Sequence, residues 1–182
     1  KKKKATLIDV PGTYSLEATS PAEEVAVNLL KQGAHVIICV LDATNLERNL
    51  NLAFQIMQYR LPMVIALNLT DVAERQGIYI NAEKLERELG VPVIPTVAIR
   101  NMGLDELLEK ALLVAEGHFP SNKQVPINQD ERWQEVGRIT EKVQILEHHH
   151  PTFRDKLNEW TLQPFPGLPI AITVLIIAMA LV

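Results

Sequence analysis

Short apolar runs alternate with amphipathic helical patterns through the first two thirds of the chain. Most of the runs are continuous Val, Ile and Leu stretches, which predict strands that are covered on both faces. Strands that alternate with helices are typical of an α/β domain with a mostly parallel sheet flanked by helices. The predicted strands are Ala5–Asp9, His35–Asp42, Pro62–Asn68 and Val91–Val97.

Capping signals and apolar stripes bound the predicted helices. Ser20–Gln32 opens with a capping box whose second residue, a proline, takes the first helical position. Asn81–Leu89 and Leu104–Glu116 end at Gly90 and Gly117, the usual place for a C-terminal glycine. A further helix is predicted from a stripe at helical spacing, formed by Leu46, Leu50, Phe54 and Met57.

A polar connector that begins at residue 119 closes this α/β domain, which is predicted to be residues 1–118. Residues 119–163 are predicted to be a helical spacer whose second, short helix is Phe153–Trp160. The stripe that predicts the first spacer helix is Trp133, Val136, Ile139 or Thr140, Val143 and Leu146.

Residues 164–182 carry no charge and are still apolar where they stop. Spanning a bilayer takes about 20 apolar residues, so we interpret this stretch as the start of a transmembrane helix. Lys1–Lys4 run directly into the first predicted strand, and both ends of the chain therefore have the character of a truncation.

Asp9-Val10-Pro11-Gly12 follows a predicted strand directly, at the place where ligands bind in open α/β sheets. An aspartate there can hold Mg²⁺ through water, and the glycine lets a backbone N–H approach a γ-phosphate. The same D-x-x-G pattern describes many ordinary turns, so a plain turn stays open as an alternative.

Asn68-Leu69-Thr70-Asp71 closes another predicted strand. The Asp71 carboxylate can accept two hydrogen bonds from the N1–H and N2–H₂ edge of guanine, and adenine offers no such pair of donors. A buried carboxylate without partners is costly, so discrimination of about 10⁴-fold or more is expected. Asn68 is expected to tie this loop to neighbouring backbone. A plain helix cap, with Thr70 or Asp71 starting a short helix, is the alternative.

A third segment, Pro95–Gly103, follows the last predicted strand. Backbone amides near Ala98 can meet the guanine carbonyl, and Gly103 opens the final helix of the domain. The sequence of this segment is not distinctive by itself, because an ordinary strand, turn and helix would look the same. Three such elements after successive strands, on the carboxyl edge of one sheet, together predict the base-reading half of a guanine-nucleotide site.

A phosphate cradle of the form G-x-x-x-x-G-K-[ST] is absent, since none of the eight glycines is followed by lysine. In switch GTPases the cradle precedes the D-x-x-G by some tens of residues, so we expect it and the first switch to lie before Lys1. The 182 residues alone are expected to bind GTP weakly and to be inactive.

Four strings closely resemble the bacterial ferrous iron transport protein B family, and two of them, PGTYSL and DATNLERNL, are highly specific. The resemblance is strong over residues 5–116 and continues more loosely over Thr152–Asn158 and Pro166–Ile170. The four strings are Asp9–Leu16, Ser20–Glu23, Asp42–Leu50 and Ala66–Ala73.

The resemblance implies a cytoplasmic GTPase domain with a P-loop-GTPase-like fold, a helical spacer and a multi-pass domain that moves Fe²⁺ across the cell membrane. It implies GTP or GDP and Mg²⁺ as cofactors, and the membrane and the protein's own C-terminal membrane domain as partners; a homo-oligomer is left open. The implied nucleotide-binding residues are Asp9, Val10, Pro11, Gly12, Asn68, Leu69, Thr70, Asp71, Val97, Ala98 and Ile99, with Asp9 facing Mg²⁺ through water.

Thr13 is the candidate catalytic residue, because it follows the glycine where many switch GTPases place a water-orienting glutamine. Its hydroxyl is too short to hold an attacking water in the same way. We therefore expect slow GTP hydrolysis in the complete protein, with water positioned by backbone or by groups elsewhere.

Composition bears on the choice between the alternative functions. The net charge of −4 argues against nucleic acid as the main partner, and the single cysteine, Cys39, fits a reducing compartment and a buried position in an apolar strand. A soluble Era-like or ribosome-assembly GTPase is the first alternative, but it needs a basic RNA-binding surface. A membrane-tethered module that has lost nucleotide binding is the second, which the missing cradle permits.

Overall fold

The computed structural model describes residues 5–13, 16, 21–119, 123 and 125–147, and seven positions of the tail: 168, 169, 172, 175, 176, 178 and 179. The chain divides into two compact units, Lys1–Glu147 and His148–Val182. The first unit contains the named helices and strands.

Three parallel strands form the main sheet, in the order β1 (Ile37–Asp42), β2 (Met63–Asn68) and β4 (Val93–Pro95). They lie within three of the predicted strands, each shorter than expected. The central strand β2 is buried along its apolar length, because helices cover both faces of the sheet. The register pairs Asp42 with Asn68 and Leu67 with Pro95, so the carboxyl ends of the three strands lie side by side.

The helices begin and end close to the predicted positions. Asn81 caps its helix by accepting a hydrogen bond from the Lys84 N–H at 2.8 Å, and Gly90 ends the same helix in the left-handed region at φ 69°. The helices are α1 (Pro21–Gln32), α2 (Leu46–Met57), α3 (Thr70–Arg75), α4 (Ala82–Leu89), α5 (Leu104–Ala115) and α6 (Gln129–Val143).

Alternate residues of β2 belong to two different hydrophobic clusters. Ile65 and Leu67 pack in the larger cluster with residues of α2, α4 and α6, whereas Val64 and Ala66 pack in the smaller one with α5. This two-residue period is what a strand between two helical layers requires. The sheet is therefore the middle layer of the unit.

The predicted strand Ala5–Asp9 is wrong. The segment is irregular, and its apolar residues Leu7 and Ile8 are exposed. A strand needs a neighbouring strand for its backbone hydrogen bonds, and within the described residues the sheet contains only β1, β2 and β4. An apolar run without such a partner does not form a strand.

A small antiparallel ribbon was not predicted. It pairs β3 (Ile78–Ile80) with β5 (Gln144–Leu146), and the Glu147 N–H donates to the Gly77 carbonyl oxygen at 2.8 Å. Three-residue strands carry too little periodicity to be recognised in a sequence. The ribbon joins the chain after α6 to the segment that follows α3.

The buried face of α6 differs from the predicted stripe. Val136, Ile139 and Val143 are buried as expected, but Trp133 is exposed and Arg132 beside it is only 7% exposed. Leu146 is exposed in β5, because the helix has already ended at Val143. Helical spacing predicts which residues are buried only as far as the helix extends.

Arg132 is tolerated in this interface because two of its nitrogens donate to acceptors there. Its Nε donates to Asn51 Oδ1 of α2 at 3.3 Å, and its Nη1 donates to the Ile127 carbonyl oxygen at 2.9 Å. Residues 129–147 are thus packed within the first unit. The division of the chain at residues 118 and 163 stays a prediction.

The second unit is described at few positions. The predicted helix Phe153–Trp160 lies outside the described residues, as does most of the stretch 164–182. The described apolar side chains of this stretch are exposed, among them Leu175 and Ile176. In the part of the chain that the structure describes, no helix combines the length and the apolar character that crossing a bilayer demands.

Cys39 lies in β1 and is 4% exposed, which confirms the predicted buried thiol. Burial raises the pKa of this thiol to about 12, because the thiolate would lose its hydration. Cys39 is therefore an unreactive core residue at neutral pH.

Ion pairs join α4 to α6 on the surface. The Glu88 carboxylate accepts hydrogen bonds from Lys142 Nζ and from Arg138 Nη2, each at 2.7 Å. Arg138 also donates to Glu135 through Nε at 2.6 Å. The hydrogen bonds from Lys142 and then Arg138 lower the pKa of Glu88 to about 2. The bond from Arg138 similarly lowers the pKa of Glu135.

These pairs predict an acid-sensitive contribution to stability. A carboxyl group whose pKa is lower in the folded state stabilises the fold above its unfolded pKa, and that stabilisation is lost as the pH falls through the folded pKa. We expect Glu88→Gln to lower the free energy of unfolding at pH 7 by about 1 kcal/mol, since the pairs are partly exposed. Urea denaturation should show this difference shrinking between pH 4.5 and about 2.

The matched control is Glu141→Gln, which changes an exposed glutamate of α6 outside the network. This variant should unfold like the parent protein at every pH. A difference between Glu88→Gln and the parent that stays constant down to pH 2 would contradict the proposed role of the pairs.

Candidate functional site

The Asn68 side chain joins the ends of β2 and β4. Its Oδ1 accepts hydrogen bonds from the Ala98 N–H at 3.1 Å and from Thr96 Oγ1 at 3.3 Å. Parallel neighbours finish at the same edge of a sheet, so one side chain can reach the loop after the next strand. This is the tie to neighbouring backbone that the sequence predicts for Asn68.

Thr96 is a second link between the two loops, and it was not predicted. Its side chain is buried, with the residue only 2% exposed, and its carbonyl oxygen accepts a hydrogen bond from Thr70 Oγ1 at 3.3 Å. Its N–H donates to the Leu67 carbonyl oxygen at 2.8 Å. A buried hydroxyl needs a partner, so a threonine directly after a short buried strand was the available signal.

The backbone turns sharply between Asn68 and Asp71. Leu69 has φ 61° and ψ 28°, the left-handed region that non-glycine residues rarely adopt, and α3 begins at the next residue. A short helix therefore does start at Thr70. Its N-cap residue is Leu69, and no side chain forms a cap hydrogen bond, so Asp71 is free of the capping role that the alternative assigned to it.

The Asp71 carboxylate lies in the first turn of α3 and is 20% exposed. Its Oδ2 is 3.5 Å from Arg100 Nη2 and 3.6 Å from Arg75 Nη2. Its Oδ1 is buried and accepts no hydrogen bond from the described residues. A buried acceptor without a donor costs about 1–3 kcal/mol, so the carboxylate is suited to a ligand that supplies N–H groups.

The segment Val97–Gly103 is a tight turn. Val97 and Met102 exchange two backbone hydrogen bonds of 3.1 and 3.3 Å, and Ala98–Arg100 form a single 3₁₀ turn between them. Ile99 projects from this turn into solvent. The turn is closed by Gly103, where φ is 76° and an added Cβ would lie 2.2 Å from the Pro95 carbonyl oxygen.

The strand that was expected to precede Asp9–Gly12 is not formed. These residues are exposed and irregular, and the hydrogen bonds and ion pairs of Asn68, Thr96 and Asp71 do not include them. Nearby, the Leu16 N–H donates to Gln55 Oε1 of α2 at 2.6 Å. The segment therefore does not follow a sheet strand, and its place beside the carboxyl edge and its role in binding Mg²⁺ and phosphate stay predictions.

Asp9 fits a water-mediated Mg²⁺ contact. Mg²⁺ retains several waters and takes one or two carboxylates together with phosphate oxygens, and the Asp9 side chain is open to water. Within the described residues no group of three or more His, Cys, Asp or Glu side chains gathers into a metal site. A single carboxylate of this kind would hold Mg²⁺ together with phosphate oxygens of a nucleotide.

Comparison with known proteins identifies the family. Residues 1–111 match the family model of ferrous iron transport protein B. The chain belongs to the ferrous iron transport protein B family. Among its relatives is the Fe(2+) transporter FeoB of Escherichia coli (strain K12), which is 41% identical over 127 residues. That match covers 67% of this chain and 16% of the E. coli protein, so the chain spans about a sixth of that relative.

Solved structures of this family share the fold. The cytosolic domain of L. pneumophila FeoB matches with a TM-score of 0.67 and 28% identity, over 75% of this chain and 77% of that one. A mutant of S. thermophilus NFeoB bound to GDP matches with a TM-score of 0.58 and 42% identity, over 73% of this chain and 51% of that one. The predicted P-loop-GTPase-like fold is thereby confirmed.

Gly103 allows a direct test of the turn. Gly103→Ala places a methyl group against the Pro95 carbonyl oxygen in a left-handed conformation, so we expect it to lower the free energy of unfolding by about 2 kcal/mol or more. Urea denaturation measures this loss. The matched change Gly137→Ala lies inside α6 with open space around it, and should raise stability by up to about 1 kcal/mol.

Equal effects of the two substitutions would show that Gly103 has no special role in closing the turn. An intact Ala98 amide resonance in Gly103→Ala would point to the same conclusion, because the Asn68 contact depends on the turn.

Proposed function

We propose that this chain is the guanine-nucleotide-binding cytoplasmic part of a ferrous iron transporter, and that Asn68 and Asp71 read the base. The observation that carries the proposal is the Asp71 carboxylate, which has a buried Oδ1 without a hydrogen-bond donor in the described residues. It stands at the carboxyl edge of a parallel sheet, where ligands bind in folds of this kind.

Each element at this edge has one part in base recognition. The carboxylate of Asp71 accepts from guanine N1–H and N2–H₂, and Asn68 holds the two loops together through the Ala98 N–H. Since that amide is already engaged, we assign the guanine carbonyl to the neighbouring Ile99 N–H. Leu69 and Thr70 form the backbone turn on one side of the base, and Val97 lines the other side of the site.

The phosphate side of the nucleotide is assigned to Asp9, Val10, Pro11 and Gly12. Asp9 would hold Mg²⁺ through water, and the ion would neutralise charge on the phosphates. Gly12 allows its backbone N–H to approach the γ-phosphate, because no side chain obstructs it. Thr13 is the candidate for orienting water, and its short hydroxyl predicts slow hydrolysis.

The whole transporter is proposed from the relatives, which are named Fe(2+) transporters. In it, this unit lies on the cytoplasmic side of the cell membrane, joined to a multi-pass membrane domain that moves Fe²⁺ as cargo. Membership of the family favours this function over a soluble ribosome-assembly GTPase, and the GDP bound to S. thermophilus NFeoB favours it over a module without nucleotide binding.

Exchanging the base-reading carboxylate tests the proposal. Asp71→Asn replaces one acceptor oxygen by an NH₂ donor, which matches the C2 carbonyl of xanthine instead of the N2 amino group of guanine. We expect guanosine affinity to fall by about tenfold or more and xanthosine to become the preferred ligand. Amide chemical-shift titrations of the chain with each nucleoside measure both changes, even for weak binding.

The matched control is Asp105→Asn, an exposed aspartate in the first turn of α5, which should leave both affinities unchanged. Guanosine shifts that are absent in the parent chain, or that persist in Asp71→Asn without any gain for xanthosine, would overturn the proposed base site.

Thr13 is tested in the complete transporter by phosphate release from GTP. We expect Thr13→Ala to change turnover by less than about threefold, because the threonine hydroxyl is too short to position water alone. General catalysis by a side chain contributes about a hundredfold or more. A loss of that size, with unchanged nucleotide affinity, would instead make Thr13 itself the catalytic group.

A further inference from the structure

An ion pair joins the two loops of the candidate base site. Arg100 belongs to the 3₁₀ turn after β4, and its Nη2 lies 3.5 Å from Oδ2 of Asp71 in α3. We propose that Arg100 competes with the purine base for Asp71 and thereby sets the affinity of the site. This inference rests on the proposed function, in which Asp71 reads guanine.

The two arginines beside Asp71 belong to different segments of the chain. Arg75 is four residues further along the same helix, so its contact of 3.6 Å is a local consequence of helical spacing. Arg100 comes from a separate loop, 29 positions along the chain. Its pairing with Asp71 therefore depends on the way in which the two loops are held together.

The turn that carries Arg100 is held in place on both sides. The Asn68 side chain binds the Ala98 N–H, and the Arg100 N–H donates to the Val97 carbonyl oxygen at 2.9 Å. Asn101 follows with φ 56°, and Gly103 packs against Pro95. The backbone that carries Arg100 thus has a defined position beside the loop of Asp71.

Competition follows from the number of acceptor atoms. Guanine presents two N–H donors to one carboxylate and needs both of its oxygens. In this structure Oδ1 of Asp71 has no donor among the described residues, whereas Oδ2 lies 3.5 Å from Arg100 Nη2, so one of the two N–H groups of the base competes with Arg100 for Oδ2. Base entry therefore works against the contact between Arg100 and the carboxylate.

The exposure of the Arg100 side chain limits how far Arg100 can lower the affinity for the base. The Arg100 side chain is 58% exposed, and a pair of this kind contributes up to about 1 kcal/mol, which corresponds to a factor of about five in affinity. Two good hydrogen bonds to a carboxylate contribute more than this. The base therefore displaces Arg100, at the cost of part of its affinity.

Guanosine is the suitable probe, because it has no phosphate charges that a distant arginine could attract. We expect Arg100→Ala to bind guanosine about two- to fivefold more tightly than the parent chain in amide chemical-shift titrations at low salt. Because salt screens the exposed pair, the advantage should shrink at about 1 M NaCl. Arg87→Ala, which removes an exposed charge from α4, is the control and should match the parent.

A double-mutant comparison shows whether Arg100 acts through the Asp71 carboxylate. In the Asp71→Asn background the side chain at position 71 carries no charge, so adding Arg100→Ala should leave xanthosine affinity unchanged. A gain in that background equal to the gain for guanosine would overturn the proposal, since it would not act through the carboxylate.

Weaker or unchanged guanosine binding by Arg100→Ala would also overturn it, as would an equal gain in Arg87→Ala. A different result would contradict the proposed function, namely the absence of any guanosine response in the parent chain. The role of Arg100 would then be contradicted as well. Preserved amide spectra in each variant establish that the fold is intact.

Discussion

The burial of β2 on both faces is the constraint on which the unit depends. Met63 to Leu67 have almost no contact with water, so every backbone polar group of this strand must find a partner in β1 or β4. Parallel pairing satisfies those groups and brings the ends of the strands to one edge. The first residue past the buried stretch, Asn68, then emerges next to the loop after β4, where its side chain joins them.

The carboxyl end of β2, where the candidate base-reading residues lie, was predictable because its signals are local. A continuous apolar run fixes the strand, and the polar residues directly after it must lie at its carboxyl end. The first segment, Ala5–Asp9, has an equally apolar pattern but is irregular here. A strand is a property of a pair of segments, so the pattern of one segment alone cannot decide whether it joins a sheet.

Contacts between distant side chains were not predictable. Thr96 and Arg100 contribute through partners that lie about thirty positions away, and nothing in their own neighbourhood of the sequence indicates those partners. Arg132 was missed for a related reason: a charged residue is usually exposed, and the acceptor that Asn51 supplies to it comes from another helix. In each case the favourable interaction exists only after the fold has brought two segments together.

The ribbon of β3 and β5 has a mechanical consequence. The chain leaves the first unit through β5, whose last hydrogen bond, from the Glu147 N–H, ends on Gly77. Gly77 lies two residues after the end of α3, the short helix that carries Asp71. Tension on the chain beyond Glu147 would consequently act first on this hydrogen bond, two residues from the helix that carries Asp71.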